Sequence, residues 1–159
     1  IWNKTGGTMA LITTTRTVYT TRDWGKTWQE HASNIKALQE PICMASLISV
    51  PAKDNMLGKN ILLFSNPNDP KDRRNITIKL SFDDGKTWEA SHQVLLDDDY
   101  GWGYSCLTMI DRETVGILYE SSVAHMTFQA IPLKDFVGGK TIIKAQRIMR
   151  KRGPVCLTE

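Results

Sequence analysis

The segment Thr21-Arg22-Asp23-Trp24-Gly25-Lys26-Thr27-Trp28 returns sixty residues later as Ser81-Phe82-Asp83-Asp84-Gly85-Lys86-Thr87-Trp88, sharing the pattern S/T-x-D-x-G-K-T-W. An eight-residue repeat of this kind has a local logic. Gly25 and Gly85 supply the positive φ that a chain reversal needs, and Asp23 and Asp83 accept hydrogen bonds from turn N–H groups. Trp28 and Trp88 cover the turn from the outgoing strand. Because these residues are consumed by the turn, the repeats read as corners of hairpins and not as ligand sites. Recurrence of a strand-turn-strand unit predicts a repeat architecture in which each unit buries its face against a neighbour.

The flanking sequence supplies the strands. Arg16-Thr17-Val18-Tyr19-Thr20-Thr21 alternates like a strand with one wet face, whereas Trp2 to Leu11 is polar with a short apolar ending. Between the repeats, Cys43–Val50 and Ile61–Ser65 are apolar and bounded by Pro41, Pro51, Asn66 and Pro67, and Ile76–Phe82 alternates strictly into the second repeat. With the strand after Trp88 they predict a four-stranded antiparallel meander, which is one propeller blade. Tyr104–Ile110, Thr114–Tyr119 and His125–Ile131 predict three strands of another blade, the fourth expected from the far end of the chain.

The first two strands of that second group form a hairpin around Asp111-Arg112-Glu113, with Tyr104 at its entry and Glu120 at its exit. Antiparallel pairing brings the ends of a hairpin together, so Tyr104 and Glu120 are expected to be neighbours and form a candidate site. Cys43, Cys106 and Cys156 have no metal-ligand spacing and cannot all pair; Cys43 and Cys106 are expected to be buried free thiols within strands.

The chain has 159 residues, 41% hydrophobic and 23% charged, the make-up of one ordinary domain. No apolar run is long enough for a transmembrane helix, and no secretory signal pattern opens the sequence. Its formal charge of +3 is unevenly spread. The last twenty residues hold six bases and one acid, leaving fourteen bases against sixteen acids, a net of −2, in positions 1–139. The tail reads as a solvated extension, the competing reading being an amphipathic helix at an anionic surface. No nucleic-acid motif accompanies it.

Two repeats of the Asp-box (BNR) kind, Ser65-Asn66-Pro67 followed by Arg73-Arg74-Asn75-Ile76-Thr77-Ile78-Lys79, then Tyr104-Ser105 and Ile117-Leu118-Tyr119-Glu120, together resemble the C-terminal half of bacterial exo-sialidases (neuraminidases). The resemblance runs from about Thr15 to Val137. It implies an all-β, six-bladed β-propeller, of which the chain would hold an incomplete set of roughly two to three blades. Residues 1–138 would be the propeller portion and 139–159 a basic C-terminal extension.

The same resemblance implies an exo-α-sialidase that releases terminal sialic acid from glycoproteins, glycolipids and oligosaccharides with retention, needing no cofactor or metal. Tyr104 is similar to the family's nucleophile, and Arg73 resembles the third arginine of the triad that grips the substrate carboxylate. Glu120 is similar to the glutamate that orients the first arginine of that triad. A secreted, periplasmic or cell-surface location is implied as well. Chemistry accounts for these residue types. The substrate carries a carboxylate on its anomeric carbon, so a neutral tyrosine hydroxyl meets less repulsion than a carboxylate nucleophile would. The planar arginine fork makes paired, charge-assisted hydrogen bonds to that carboxylate.

The family's Arg-Ile-Pro segment with the first arginine, its acid/base aspartate, the glutamate that polarises the tyrosine and the second arginine lie N-terminal to the motifs present. Arg16 sits in the strand beside the first repeat and is not assigned the second arginine's place. The chain is therefore expected to be a fragment, lacking the N-terminal half of the propeller and inactive alone. The alternative from another class is a non-catalytic Asp-box module binding glycans or proteins, which would have no reason to hold Arg73, Tyr104 and Glu120 together. A third reading, an autonomous structural β-domain, would require the chain to fold cooperatively by itself.

Overall fold

A computed structural model describes residues 15–123 and 125–138; the Trp2–Leu11 segment, Cys156 and the basic extension from residue 139 onward lie outside the described residues. Among the described residues the regular elements are nine strands and three short 3-10 turns. No described helix is long and apolar enough to cross a membrane.

Strands β3 (Ser46–Val50), β4 (Ile61–Pro67), β5 (Ile76–Ser81) and β6 (Gln93–Asp97) form one antiparallel sheet in sequence order, the expected meander. Pairing runs Val50↔Ile61, Leu63↔Leu80 and Ile78↔Val94, which places the apolar set of each strand on one face. Strands β7 (Ser105–Met109), β8 (Thr114–Tyr119) and β9 (Thr127–Pro132) make a second antiparallel sheet, three-stranded among the described residues. Its Leu107, Val115, Ile117, Tyr119 and Ile131 join Leu63, Ile76, Ile78, Leu80, Val94 and Leu96 in one buried cluster, closed below by Leu133 and Phe136. Two sheets that each hide one face against the other are what the repeat pattern demands.

The N-terminal strand is shorter than its alternation suggests. Only Tyr19–Thr20 (β1) pairs, with Gln29–Glu30 (β2) across the first repeat, and all four residues are exposed. Arg16 instead turns inward and is buried, with Thr15 bridged to Gln39. The start of β3 also differs. Ile42 takes φ 57, which breaks the extended chain, so Cys43 is buried in a loop and the strand begins at Ser46. Cys106 lies in β7 as expected, but on its open face, and is exposed.

Candidate active site

Beyond the β7–β8 ladder, where Ser105 faces Tyr119, the hairpin closes once more through its two end residues. Glu120 N–H donates to Tyr104 O at 2.9 Å, and Tyr104 N–H donates to Glu120 Oε2 at 3.1 Å. The expected pair is therefore joined by backbone and carboxylate together. Tyr104 stands at the rim, 45% exposed. Tyr119, one residue before Glu120, is its opposite: fully buried, with the hydroxyl pushed up to about 12 by burial and by the charge of Asp97. A phenol held neutral inside the core takes no part in surface chemistry, so the sheet presents one exposed tyrosine at this end and hides the other.

Arg73 and Arg74 sit in the loop between β4 and β5 and go separate ways. The Arg73 guanidinium lies 5.5 Å from the centre of the Tyr104 ring, with Nη1 donating to Trp102 O at 3.1 Å. The Arg74 guanidinium stacks on Tyr100 at 5.2 Å and donates to Asp98 O at 3.1 Å. With Nη1 anchored on a backbone carbonyl, the plane of Arg73 is set beside the tyrosine, and the rest of its fork suits a planar anion.

The strap Gly101–Gly103 couples these groups. Gly101 N–H donates to Arg73 O at 2.9 Å, and a Cβ at Gly101 would come within 3.0 Å of Glu120 O. Gly103, at φ +88, is tighter still: a Cβ there would meet Pro67 Cγ at 2.8 Å, Cys43 Sγ at 3.1 Å and Arg73 Cβ at 3.4 Å. Only glycine lets the chain pass between β4, the Cys43 loop and the arginine to deliver Tyr104. Burial pushes the Cys43 thiol up, against the opposing charges of Arg73 and Arg16.

A second polar cluster lies between the four-stranded sheet and the Thr15–Glu40 segment. Arg16 pairs with Glu40 at 2.6 Å and also donates to Cys43 O. Its guanidinium lies 5.5 Å from the Phe64 ring centre, and Lys79 Nζ lies 5.9 Å from the same ring. Lys79 is only 1% exposed and, among the described residues, its ammonium donates to Asn68 Oδ1 at 2.8 Å; burial first, then the charge of Arg16, pull it down to about 8. The strict alternation of β5 conceals this cluster, since it is the pattern of a half-wet strand while all six residues are buried. The signal available in the sequence was the neighbouring β4, apolar on both faces, which implies cover on both sides. Among the described residues, no group of three or more His, Cys, Asp or Glu is arranged to hold a metal ion.

Antiparallel sheets stacked face to face, with a repeated turn at their corners, are blades of a β-propeller. The comparison with known proteins agrees. A protein named Sialidase from Bacteroides fragilis (strain YCH46) is 66% identical over 122 residues, 77% of this chain and 22% of that protein. The structure of Hadza microbial sialidase Hz136 superposes with a TM-score of 0.75 at 63% identity, over 77% of this chain and 24% of its own length. No family model matches the sequence. The chain belongs to the sialidase family. It spans less than a quarter of these relatives, as an incomplete propeller.

Proposed function

We propose that the full-length protein carrying this chain is a retaining exo-α-sialidase acting on terminal sialic acid of glycoconjugates. The observation that carries this reading is the placement of the Arg73 guanidinium 5.5 Å from the Tyr104 ring, on a hairpin whose end is tied to the Glu120 carboxylate. A cationic fork beside an exposed phenol accounts for a substrate that presents a carboxylate on its reacting carbon. Arg73 holds the carboxylate, Tyr104 Oη attacks the anomeric carbon as the glycosidic oxygen leaves, and water then displaces the tyrosine, so two inversions restore the configuration. Glu120 fixes the backbone of Tyr104 and turns its remaining acceptor capacity toward an arginine of the triad. The proton donor and acceptor, the glutamate that polarises the tyrosine and the other two arginines come from the rest of the protein. Residues 1–138 are the propeller portion and 139–159 an appended basic segment, in a protein that works in the periplasm, at the cell surface or outside the cell.

Trapping tests the nucleophile. A fluorinated sialosyl probe should label the full-length protein on Tyr104, and Tyr104→Phe should remove turnover; labelling elsewhere, or intact turnover, defeats the assignment. Arg73→Ala should weaken binding of a sialic acid analogue by about 2–4 kcal/mol, while Arg74→Ala stays within about 0.5 kcal/mol. Equal effects would place the carboxylate contact one residue further along.

A further inference from the structure

We propose that Lys79 is a positioning residue for Arg73, holding the neck of the Asn68–Asn75 loop from inside the sheet so that the guanidinium stands beside Tyr104. The inference rests on the sialidase reading of that site.

Lys79 occupies the middle of β5 on the face it shares with Phe64, between the sheet and the Arg16 segment. Its side chain is enclosed, Arg16 beside it carries the same sign of charge, and among the described residues the acceptor it meets is a neutral amide oxygen. Burying an ammonium on those terms costs stability that an apolar residue at the same place would not forgo. The cost has a counterpart in where its hydrogen bond goes. Asn68 is the first residue after β4, and its N–H donates to Asn75 O at 2.9 Å, closing the neck of the loop. Thr77 Oγ1 donates to the same carbonyl at 2.7 Å, and Asn75 itself takes φ 57. Lys79 thus reaches along the sheet to fix the side chain of one neck residue while Thr77 fixes the other. An ammonium only donates, so it also dictates which end of the Asn68 amide faces inward.

Everything the loop delivers depends on that neck. Asp69 Oδ1 accepts from Lys71 and Asp72 N–H at 2.8 and 2.9 Å, shaping the outward half. Arg73 follows, and its carbonyl takes the Gly101 N–H that anchors the strap leading to Tyr104. A tilt of the loop at its root displaces Arg73, whereas Tyr104 stays tied to Glu120 at the hairpin end through backbone and carboxylate.

The test uses the full-length protein and a fluorogenic sialoside, with Arg73→Ala as reference. Lys79→Met keeps the length and removes the charge, and Asn68→Ala removes the same bond from the half-buried side. Each should raise KM about tenfold with kcat within about threefold, because substrate placement is lost and chemistry is not. The double variant should be no worse than either single, since both delete one interaction. Lys79→Met should melt no lower than the unaltered protein. Unchanged KM in both singles, beside an Arg73→Ala that does raise KM, overturns the role of Lys79 alone; so does a lowered melting temperature with unchanged KM, or multiplicative effects in the double variant. Should Lys79→Met fail to fold, Asn68→Ala decides by itself on the same criterion. A protein without turnover, or an Arg73→Ala with unaltered KM, overturns the sialidase reading and this inference with it.

Discussion

The two repeated turns are the same object in two settings. In the first, Thr21 Oγ1 donates to Asp23 Oδ1 at 2.8 Å and accepts from Gly25 N–H at 2.8 Å, while Asp23 accepts from the Thr27 N–H and hydroxyl at 2.9 and 2.7 Å. In the second, Ser81, Asp83, Gly85 and Thr87 repeat this set at 2.7, 2.9, 2.9 and 2.8 Å. Even the left-handed pair matches, Trp24 and Gly25 against Asp84 and Gly85. The tryptophans diverge. Trp28 is half exposed and donates its indole N–H to Gly25 O at 3.0 Å, whereas the Trp88 N–H is buried without a partner among the described residues and its ring packs on Phe64, 5.8 Å between centres. A local hydrogen-bond pattern therefore builds the corner, and the surrounding strands decide whether it also becomes core.

The sharpest break of the comparison is at the tryptophans. Trp88→Ala should cost about 3–4 kcal/mol in urea unfolding, through the cavity against Phe64, and Trp28→Ala no more than about 1 kcal/mol. Similar costs would mean that both corners serve only their own turns. The glycines come next. Both have positive φ, but a Cβ at Gly85 meets Leu62 and Trp88 at 3.3 Å, while the atom nearest to one at Gly25 belongs to Trp28, at an ordinary 3.5 Å. Gly85→Ala should therefore cost about 2–3 kcal/mol and Gly25→Ala about 1–2 kcal/mol, the latter being the backbone penalty alone.

Acid separates the corners more gently. The Thr27 N–H and hydroxyl, with Thr21, hold the exposed Asp23 carboxyl down at about 2. At Asp83 burial works against ionisation, but bonds from Thr87 and Ser81 prevail and the group also stays below its ordinary value. A folded-state value below the unfolded one, about 3.9, means that the contribution is fully present above about pH 4 and lost as pH falls through the folded value. The Thr27 amide resonance should accordingly titrate near pH 2; a midpoint near 4 would show that the turn is not formed in solution. The smallest effect is at Trp24, wholly exposed at φ 59. Trp24→Asn, a residue that tolerates that conformation, should stabilise by about 0.5 kcal/mol or less, and a measurable loss would reveal a contact for the indole.

How much of this was legible in the sequence follows the same division between local and tertiary. The turns, the four-stranded meander and the Tyr104–Glu120 closure are dictated by residues close along one hairpin or one repeat, and their patterns point to them directly. The inward turn of Arg16, the exposure of Cys106 and the enclosure of Lys79 depend on which sheet face meets which neighbour. Periodicity states that a face exists and is silent on what covers it. Arg73 falls between these cases: a loop arginine is unremarkable by composition, and its separation from Arg74 is decided by Trp102 and Asp98, carbonyls that no sequence pattern marks.

The passage of Gly103 between Pro67, Cys43 and Arg73 bears on how such a site can be altered. A gene library randomised over positions 101–106 and screened for folded product would return glycine at 103 in nearly every survivor, while tolerating change at Trp102 and Cys106. Re-aiming Tyr104 by substituting its immediate neighbour is thereby closed to single steps. A new trajectory would require concerted replacement at Cys43, Pro67 and Gly103, three places far apart in the chain, the kind of move that recombination between relatives can make and point mutation cannot.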